Sequence, residues 1–292
     1  MNKFYGYLFI APFFVVFVVT GLFPVVFTGY VSLFSWELVD GSPRFVGPAN
    51  YLELVADDRF WTAVVNTFSI FALSTGPQLV LAVVLALALD RRSTGWRVAV
   101  LLPCSMSLVA VGIIFANLFG PNYGLVNTVL SGLGLGRVDW QGSRIASHVA
   151  IAVMVNWRWT GYNALVVLAG LQAIPRVLHE AATVDGAGRW GRFVHVTLPL
   201  LRPTLLFVLV TSTIGGLQVF TEPKLFDGQP GSNNGGASGQ FQTVALYVYQ
   251  SAFETQRLGY ASAMAWVLFG MVAVLIGVNH VLTTRSTGAA NH

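Results

Sequence analysis

Residues 172–203 read QAIPRVLHEAATVDGAGRWGRFVHVTLPLLRP and lie between two apolar runs, at about 145–170 and 204–222. A bilayer crossing takes about 20 apolar residues, which both runs approach or exceed. The segment between them is too polar to span and too patterned to be a linker, so it is expected to fold at the membrane surface. Pro175 suits the first turn of a helix and Gly186 or Gly188 its end, which predicts a short helix over about 175–185. Val177, Ala181 and Val184 recur at i, i+4 and i+7 and give that helix one narrow apolar stripe. Ala181 and Ala182 carry little side chain and let another protein approach the backbone closely. Such a helix suits docking into a groove on a partner protein; the alternative is a helix that lies on the lipid headgroups.

The rest of the chain agrees with a membrane setting. Of 292 residues, 55 % are hydrophobic and 10 % charged, and the mean hydropathy is +0.67, well outside soluble averages. One all-α membrane domain over 1–292 is expected, with six spans near 5–33, 62–89, 98–120, 145–170, 204–222 and 259–282. The first run is too long for a signal-peptide core and lacks a small-residue cleavage site, so it reads as an anchor. Pro24, Pro77 and Pro103 fall inside spans, where they predict kinks more than breaks.

Orientation follows from basic residues. With a cytoplasmic N-terminus, Lys3, Arg91, Arg92, Arg97, Arg176, Arg189, Arg192, Arg202 and Arg285 lie inside. Arg44, Arg59, Arg137, Arg144, Lys224 and Arg257 then lie outside, on longer segments, so basic density favours both termini cytoplasmic. The outer segment 35–61 is acidic, with Glu37, Asp40, Glu53, Asp57 and Asp58, and 227–240 (DGQPGSNNGGASGQ) reads as flexible. Both are candidate docking surfaces for an extracellular partner, or solvated loops without one.

Several function classes drop out. The formal charge of +4 is scattered in short segments with no basic stripe, which argues against nucleic acid. Cys104 is the single cysteine and sits in an apolar run, so no disulfide or cysteine-based metal site forms within the chain. A phosphate-binding loop needs Lys after Gly, and Lys3 and Lys224 do not follow glycine. The histidines, His148, His179, His195, His280 and His292, are dispersed, and no serine elbow or zinc helix is present.

Polar residues inside spans mark a pore or helix contacts. Asn66, Asn117, Asn156 and Gln218 fall at similar depth and predict a polar cavity, whose amides match sugar hydroxyls while Trp159 covers a sugar face. Asn156, Trp159 and Asn163 share one face of the fourth span, and Arg158 and Tyr162 share another. Arg158 near the bilayer centre is expected to touch substrate or to pair with a partner subunit. For all of these residues the bland alternative is an interhelical hydrogen bond.

Glu180-Ala181-Ala182, Gly186, Val196 and Leu198-Pro199, at their spacings, resemble the EAA loop of permease subunits in binding-protein-dependent ABC importers. Val196 stands where that family more often has Ile. Residues 169–175 (AGLQAIP) and 199–203 (PLLRP) resemble the sugar-importing branch of the maltose and glycerol-phosphate type, and 222–253 is somewhat like actinobacterial cellobiose or chitobiose permeases. The resemblance implies a bacterial plasma-membrane permease that forms half of a carbohydrate pathway. A second homologous permease, two ATP-binding subunits and an extracellular solute-binding protein would complete it. It implies no cofactor in this chain, with ATP and Mg on the partner ATPase. Residues Glu180, Ala181, Ala182, Asp185, Gly186, Leu198 and Pro199 would couple to that ATPase. The competing readings are an ion-coupled secondary transporter, disfavoured because Glu222 is the one acid near a span, an intramembrane enzyme, and a purely structural subunit.

Overall fold

The computed structural model describes residues 3–37, 41–226 and 235–288, and side chains over 9–37, 41–226 and 235–279. The side chains of Lys3, His280, Arg285 and His292, the residue Asp40, and 227–234 of the glycine-rich outer segment lie outside these described residues.

The chain opens with α1 (Lys3–Phe17), which passes through a π-helical turn (Val18–Leu22) into α2 (Phe23–Val31). Pro24 sits in the first turn of α2, where its missing N–H costs least and the wide turn before it absorbs the geometry. Two short strands follow, β1 (Phe34–Ser35) and β2 (Arg44–Phe45), paired antiparallel with Phe34 opposite Phe45. Then come α3 (Ala49–Val55), α4 (Asp58–Leu89), α5 (Thr94–Ser105), α6 (Leu108–Leu118), α7 (Leu125–Gly132) and α8 (Arg144–Gln172). The chain continues with α9 (Arg176–Val184), α10 (Arg189–Arg192), a second π turn (Phe193–Thr197) and α11 (Leu198–Leu217). It closes with α12 (Thr221–Phe226), α13 (Val244–Tyr249), a π turn (Gln250–Glu254) and α14 (Leu258–Gly288).

Among the described residues, four helical stretches are long and apolar enough to cross a membrane: Phe9–Val31, α4, Arg189–Leu217 and Leu258–Asn279. Two bent pairs, α5 with α6 and α8 with α9, raise the number to six when each counts as one span. The protein is a multi-pass, all-α membrane protein. Helices end elsewhere than the apolar runs did. The stretch expected as one span over 98–120 is two helices bent by 85°, where the sequence predicted only a kink at Pro103. Pro103 withholds one backbone donor, and two residues later the Ser105 hydroxyl donates to the Leu102 carbonyl (2.8 Å). That local bond competes with the helix, and Met106 and Ser107 turn extended. The run expected over 204–222 is helical already from Arg189, through α10 and the second π turn, and stops at Leu217; Thr221–Phe226 is a separate helix.

The chain divides into two compact units, Met1–Trp61 with Tyr247–Met271, and Thr62–Leu246 with Val272–His292. In the first, the segment after α2 is tied down by Asn50, whose Nδ2 donates to the carbonyls of Ser32 (2.8 Å) and Phe34 (3.0 Å). Arg257 makes a two-pronged ion pair with Glu53 (2.7 and 2.8 Å). The Asp57 carboxylate accepts from the hydroxyls of Tyr247 (2.7 Å) and Tyr260 (2.5 Å). Burial alone would raise the Asp57 carboxyl, but the bonds from Tyr260 and Tyr247, with those from the backbone N–H groups of Phe60 and Arg59, together outweigh it and hold it below its ordinary value. Burial and the bond to Asp57 push the Tyr247 phenol up to about 12.

Among its described residues the second unit shows two apolar clusters. One joins Ile70, Val111, Phe115, Ile151, Met154 and Phe226; the other joins Ala82, Ala86, Ala164, Val167, Leu201 and Val208. Small residues let helices approach to backbone contact. At Gly161 of α8 any Cβ would strike the carbonyl oxygen of Val100 in α5, so only glycine fits that crossing.

Candidate functional site

Two regions of the second unit carry the chemistry the sequence pointed to. The first is α9 and its exit. Pro175 is extended and caps the helix, fixing where it begins. The end is a Schellman motif. The N–H of Ala187 reaches the carbonyl of Ala182 (2.9 Å) and that of Gly186 the carbonyl of Thr183 (3.1 Å). Gly186 has φ +79, a left-handed conformation costly for any residue with a Cβ. Of the two glycines offered by the sequence, Gly186 is the terminator; Gly188 is extended and precedes α10.

The helix buries no residue. Val177 is 69 % and Val184 87 % exposed, and Ala181 between them is also open. Glu180 and Asp185 are exposed as well, while Ala182 is half-buried. Leu198 and Pro199, both half-buried, form the first turn of α11, eleven residues beyond the end of the Schellman motif at Ala187. An apolar stripe facing nothing in its own chain is a surface that awaits cover.

The second region is the polar face of α8 and its neighbours, and here the amides part company. Asn66 is fully buried and used up. Its Nδ2 donates to the carbonyls of Gly239 (2.8 Å) and Gln242 (3.0 Å), and its Oδ1 accepts from Arg144 Nε (3.0 Å). Asn163 is buried too, and donates to Gln78 Oε1 (3.0 Å) and Ser212 Oγ (3.2 Å), stitching α8 to α4 and α11. Asn117 is exposed and turns back on the Ile113 carbonyl (2.8 Å), and Gln218 is exposed at the end of α11. The amides therefore do not converge on one point. Asn156 differs: its Oδ1 is buried without a hydrogen-bond partner among the described residues, as is the hydroxyl of Thr160 one turn on. Trp159, on the same side, is 37 % exposed.

Arg158 has an intrachain partner that the sequence reading did not pair with it. Its Nη1 lies 3.9 Å from Glu222 Oε1 on α12, and its guanidinium stands over the Trp159 ring at 5.1 Å. Both side chains are largely buried, and Arg158 Nε has no hydrogen-bond partner among the described residues. A carboxylate thus supplies the countercharge that was expected from substrate or from a second subunit. The signal was present in Glu222 itself, the acid at the end of the run expected over 204–222.

The glycine-rich outer segment also departs from expectation over 235–240. Gln240 is buried; its Nε2 donates to the Gln141 carbonyl (2.7 Å), and its own carbonyl accepts from His148 Nε2 (2.8 Å). That leaves His148 Nδ1 to accept from the Ser69 hydroxyl (2.8 Å). The Thr243 hydroxyl donates to the Val219 carbonyl (2.7 Å). This part of the loop is anchored.

The family described as binding-protein-dependent transport system inner membrane component matches residues 54–287. The chain belongs to it. Relatives run the length of this inner membrane component. The lactose transport system permease protein LacF of Rhizobium radiobacter is 36 % identical over 277 residues, covering 92 % of this chain and 91 % of that one. The sulfoquinovosyl glycerol transport system permease protein SmoG of Agrobacterium fabrum is 38 % identical over 254 residues, covering 86 % and 80 %. In crystals of a bacterial ABC transporter that imports alginate, one chain superposes with TM-score 0.80, 23 % identity and coverage of 97 % and 96 %, a likeness of fold. The helices α8, α9 and α11 that build both regions lie inside the family match; the first span, α1 and α2, precedes it.

Proposed function

We propose that this inner membrane component is one of two homologous permeases in an ATP-driven carbohydrate importer, with both termini cytoplasmic. The observation that carries the reading is α9: a nine-residue helix whose whole apolar stripe is bare and whose end is held by a glycine turn. A groove on a cytoplasmic ATPase is the cover such a helix calls for. Glu180, Ala181, Ala182 and Asp185 would contact it, and ATP and Mg would be bound there. Closure of two such ATPases would push α9, and the turn at Gly186 with the first turn of α11 at Leu198 and Pro199 would pass the movement to the span, a rigid-body route to alternating access.

Carbohydrate is supported by relatives named for lactose and for sulfoquinovosyl glycerol transport. On this chain the enclosed Asn156 Oδ1 and Thr160 hydroxyl, unpaired among the described residues, lie beside half-exposed Trp159; once uncovered by a movement of α8's neighbours they would offer the acceptor, donor and ring face that a sugar uses. Arg158 holds that face in place through Glu222. Asn66 and Asn163 serve the scaffold behind it. A solute-binding protein would deliver the sugar from outside.

The test is reconstitution of the chain with its neighbouring permease, ATPase and binding protein in liposomes. ATP inside and binding protein outside should drive uptake of a labelled disaccharide, and protonophore should leave it intact. Uptake that survives ATP depletion and stops with an ionophore would instead mark an ion-coupled carrier.

A further inference from the structure

Beside α9 lies an open cavity of about 1830 Å³, larger than the roughly 300–1,000 Å³ of a small-molecule site. It is built from the end of α4, the α8–α9 junction and the start of α10 and α11. Its two halves differ in chemistry. One wall is a face of α4 carrying Leu79, Val80, Val83, Val84 and Leu87, and Val80 and Val84 on it are 64 % and 58 % exposed. The rim at the helix ends carries Arg91, Arg92, Arg176, Arg189 and Arg192, against Asp90 and Glu180. Five cations face two anions, and no rim arginine forms an ion pair within 4 Å among the described residues. Arg192 spends one nitrogen on the Thr183 hydroxyl (2.8 Å); the other four arginines make no side-chain hydrogen bond to a described residue.

The α9 residues on this cavity, Arg176, His179, Glu180 and Thr183, recur at i, i+3, i+4 and i+7. They form one face, about a third of a turn away from the Val177, Ala181 and Val184 stripe. The helix therefore has two faces with separate demands, one for an apolar groove and one turned to a basic cleft. A cleft that is apolar along the span and basic at the membrane boundary matches an amphiphile with an acyl chain and a negative headgroup.

We propose that this cavity binds an anionic phospholipid, its chain on the α4 wall and its phosphate among Arg91, Arg92, Arg176 and Arg189. The lipid would sit behind α9 and brace it. This inference does not depend on the sugar assignment.

The test uses the assembled transporter in nanodiscs. Phosphatidylglycerol and phosphatidylcholine probes with the same diazirine-bearing tail are photolysed, and labelled peptides are mapped. The phosphatidylglycerol probe should label 79–87 about tenfold above the phosphatidylcholine probe. An Arg91→Gln/Arg92→Gln variant that still co-purifies with its partners should lose that excess. Val84→Trp, which fills the wall without touching charge, should lower labelling by the anionic probe. Equal labelling by both probes would overturn the proposal, and so would an unlabelled 79–87 stretch that cross-links to a protein subunit. The wild-type comparison decides between these outcomes even if the arginine variant does not assemble.

Discussion

Two connecting segments of the second unit, 235–243 and α9, make opposite use of their surroundings. The outer one is rich in Gly and Ser and reads as a tether, yet Gln240, Phe241, Gln242 and Thr243 are buried, and it is held by Asn66, His148 and Gln141. The inner one has regular helix, a cap at each end and good amphipathic spacing, yet it buries nothing. Composition predicts local stiffness, whereas anchoring depends on distant partners. Segment 235–243 is complete within one chain, and α9 is complete in itself but buries none of its apolar side against the described residues. Under the proposed function, the difference is that between scaffold and coupling surface.

Four substitutions would break or sharpen that contrast. Gly186→Val should have the largest effect. A β-branched residue at φ +79 undoes the turn without touching any apolar cluster. Transport should fall to background while the purified chain keeps its helical circular dichroism; normal ATP-driven uptake would show that the turn passes on no movement.

Arg158→Ala comes next, because it leaves Glu222 buried without countercharge, at a cost on the order of 3 kcal/mol. Melting temperature in detergent should drop, and Arg158→Ala/Glu222→Ala should recover part of it. No recovery would mean that the 3.9 Å pair is incidental.

Asn66→Leu should cost on the order of 1–3 kcal/mol, since it strands two loop carbonyls and Arg144. Its mark is local: protease should cut the outer segment 235–243 more quickly while ATPase co-purification is unchanged. Unchanged protection would make this loop as free as its composition says.

Tyr247→Phe should be the mildest, removing one of two hydroxyls on Asp57. The sign of its pH dependence follows from the depressed Asp57 pKa. The charged carboxylate contributes stability above its unfolded pKa of about 3.9, and the contribution is lost as pH falls through the lower folded value. Melting temperature should therefore be flat from pH 7 to about 5 and fall below about 4, with a shallower fall in Tyr247→Phe and in Asp57→Asn. Identical acid profiles would remove Asp57 from the account.

What could be read in advance divides along the same line. The apolar runs, the helix at Pro175 and the glycine that ends it are local features, written in residues within one or two turns of each other, and they were legible. The break after Ser105 was not, because a serine hydroxyl taking the Leu102 carbonyl adds to a proline effect that by itself predicts a kink. Asn66 looked like its neighbours in type and depth, and only Gly239 and Gln242, far along the chain, make it a clamp. Arg158 announced a need for countercharge, and Glu222, 64 positions on, answers it. The buried, unpaired oxygens of Asn156 and Thr160 are visible only against the ones that are satisfied.

The central claim is that the bare face of α9 is a docking surface for an ATPase, and one substitution tests it most directly. The tagged chain is expressed with its genomic neighbours, purified in detergent, and compared with Ala181→Trp, which places a bulky ring in the middle of the stripe without burying or exposing anything in its own chain. The account predicts that a second permease and a P-loop ATPase co-purify with the wild type, and that the ATPase is lost from the variant while the second permease stays. An ATPase retained in full by Ala181→Trp, or a chain that purifies alone in both cases, would contradict it.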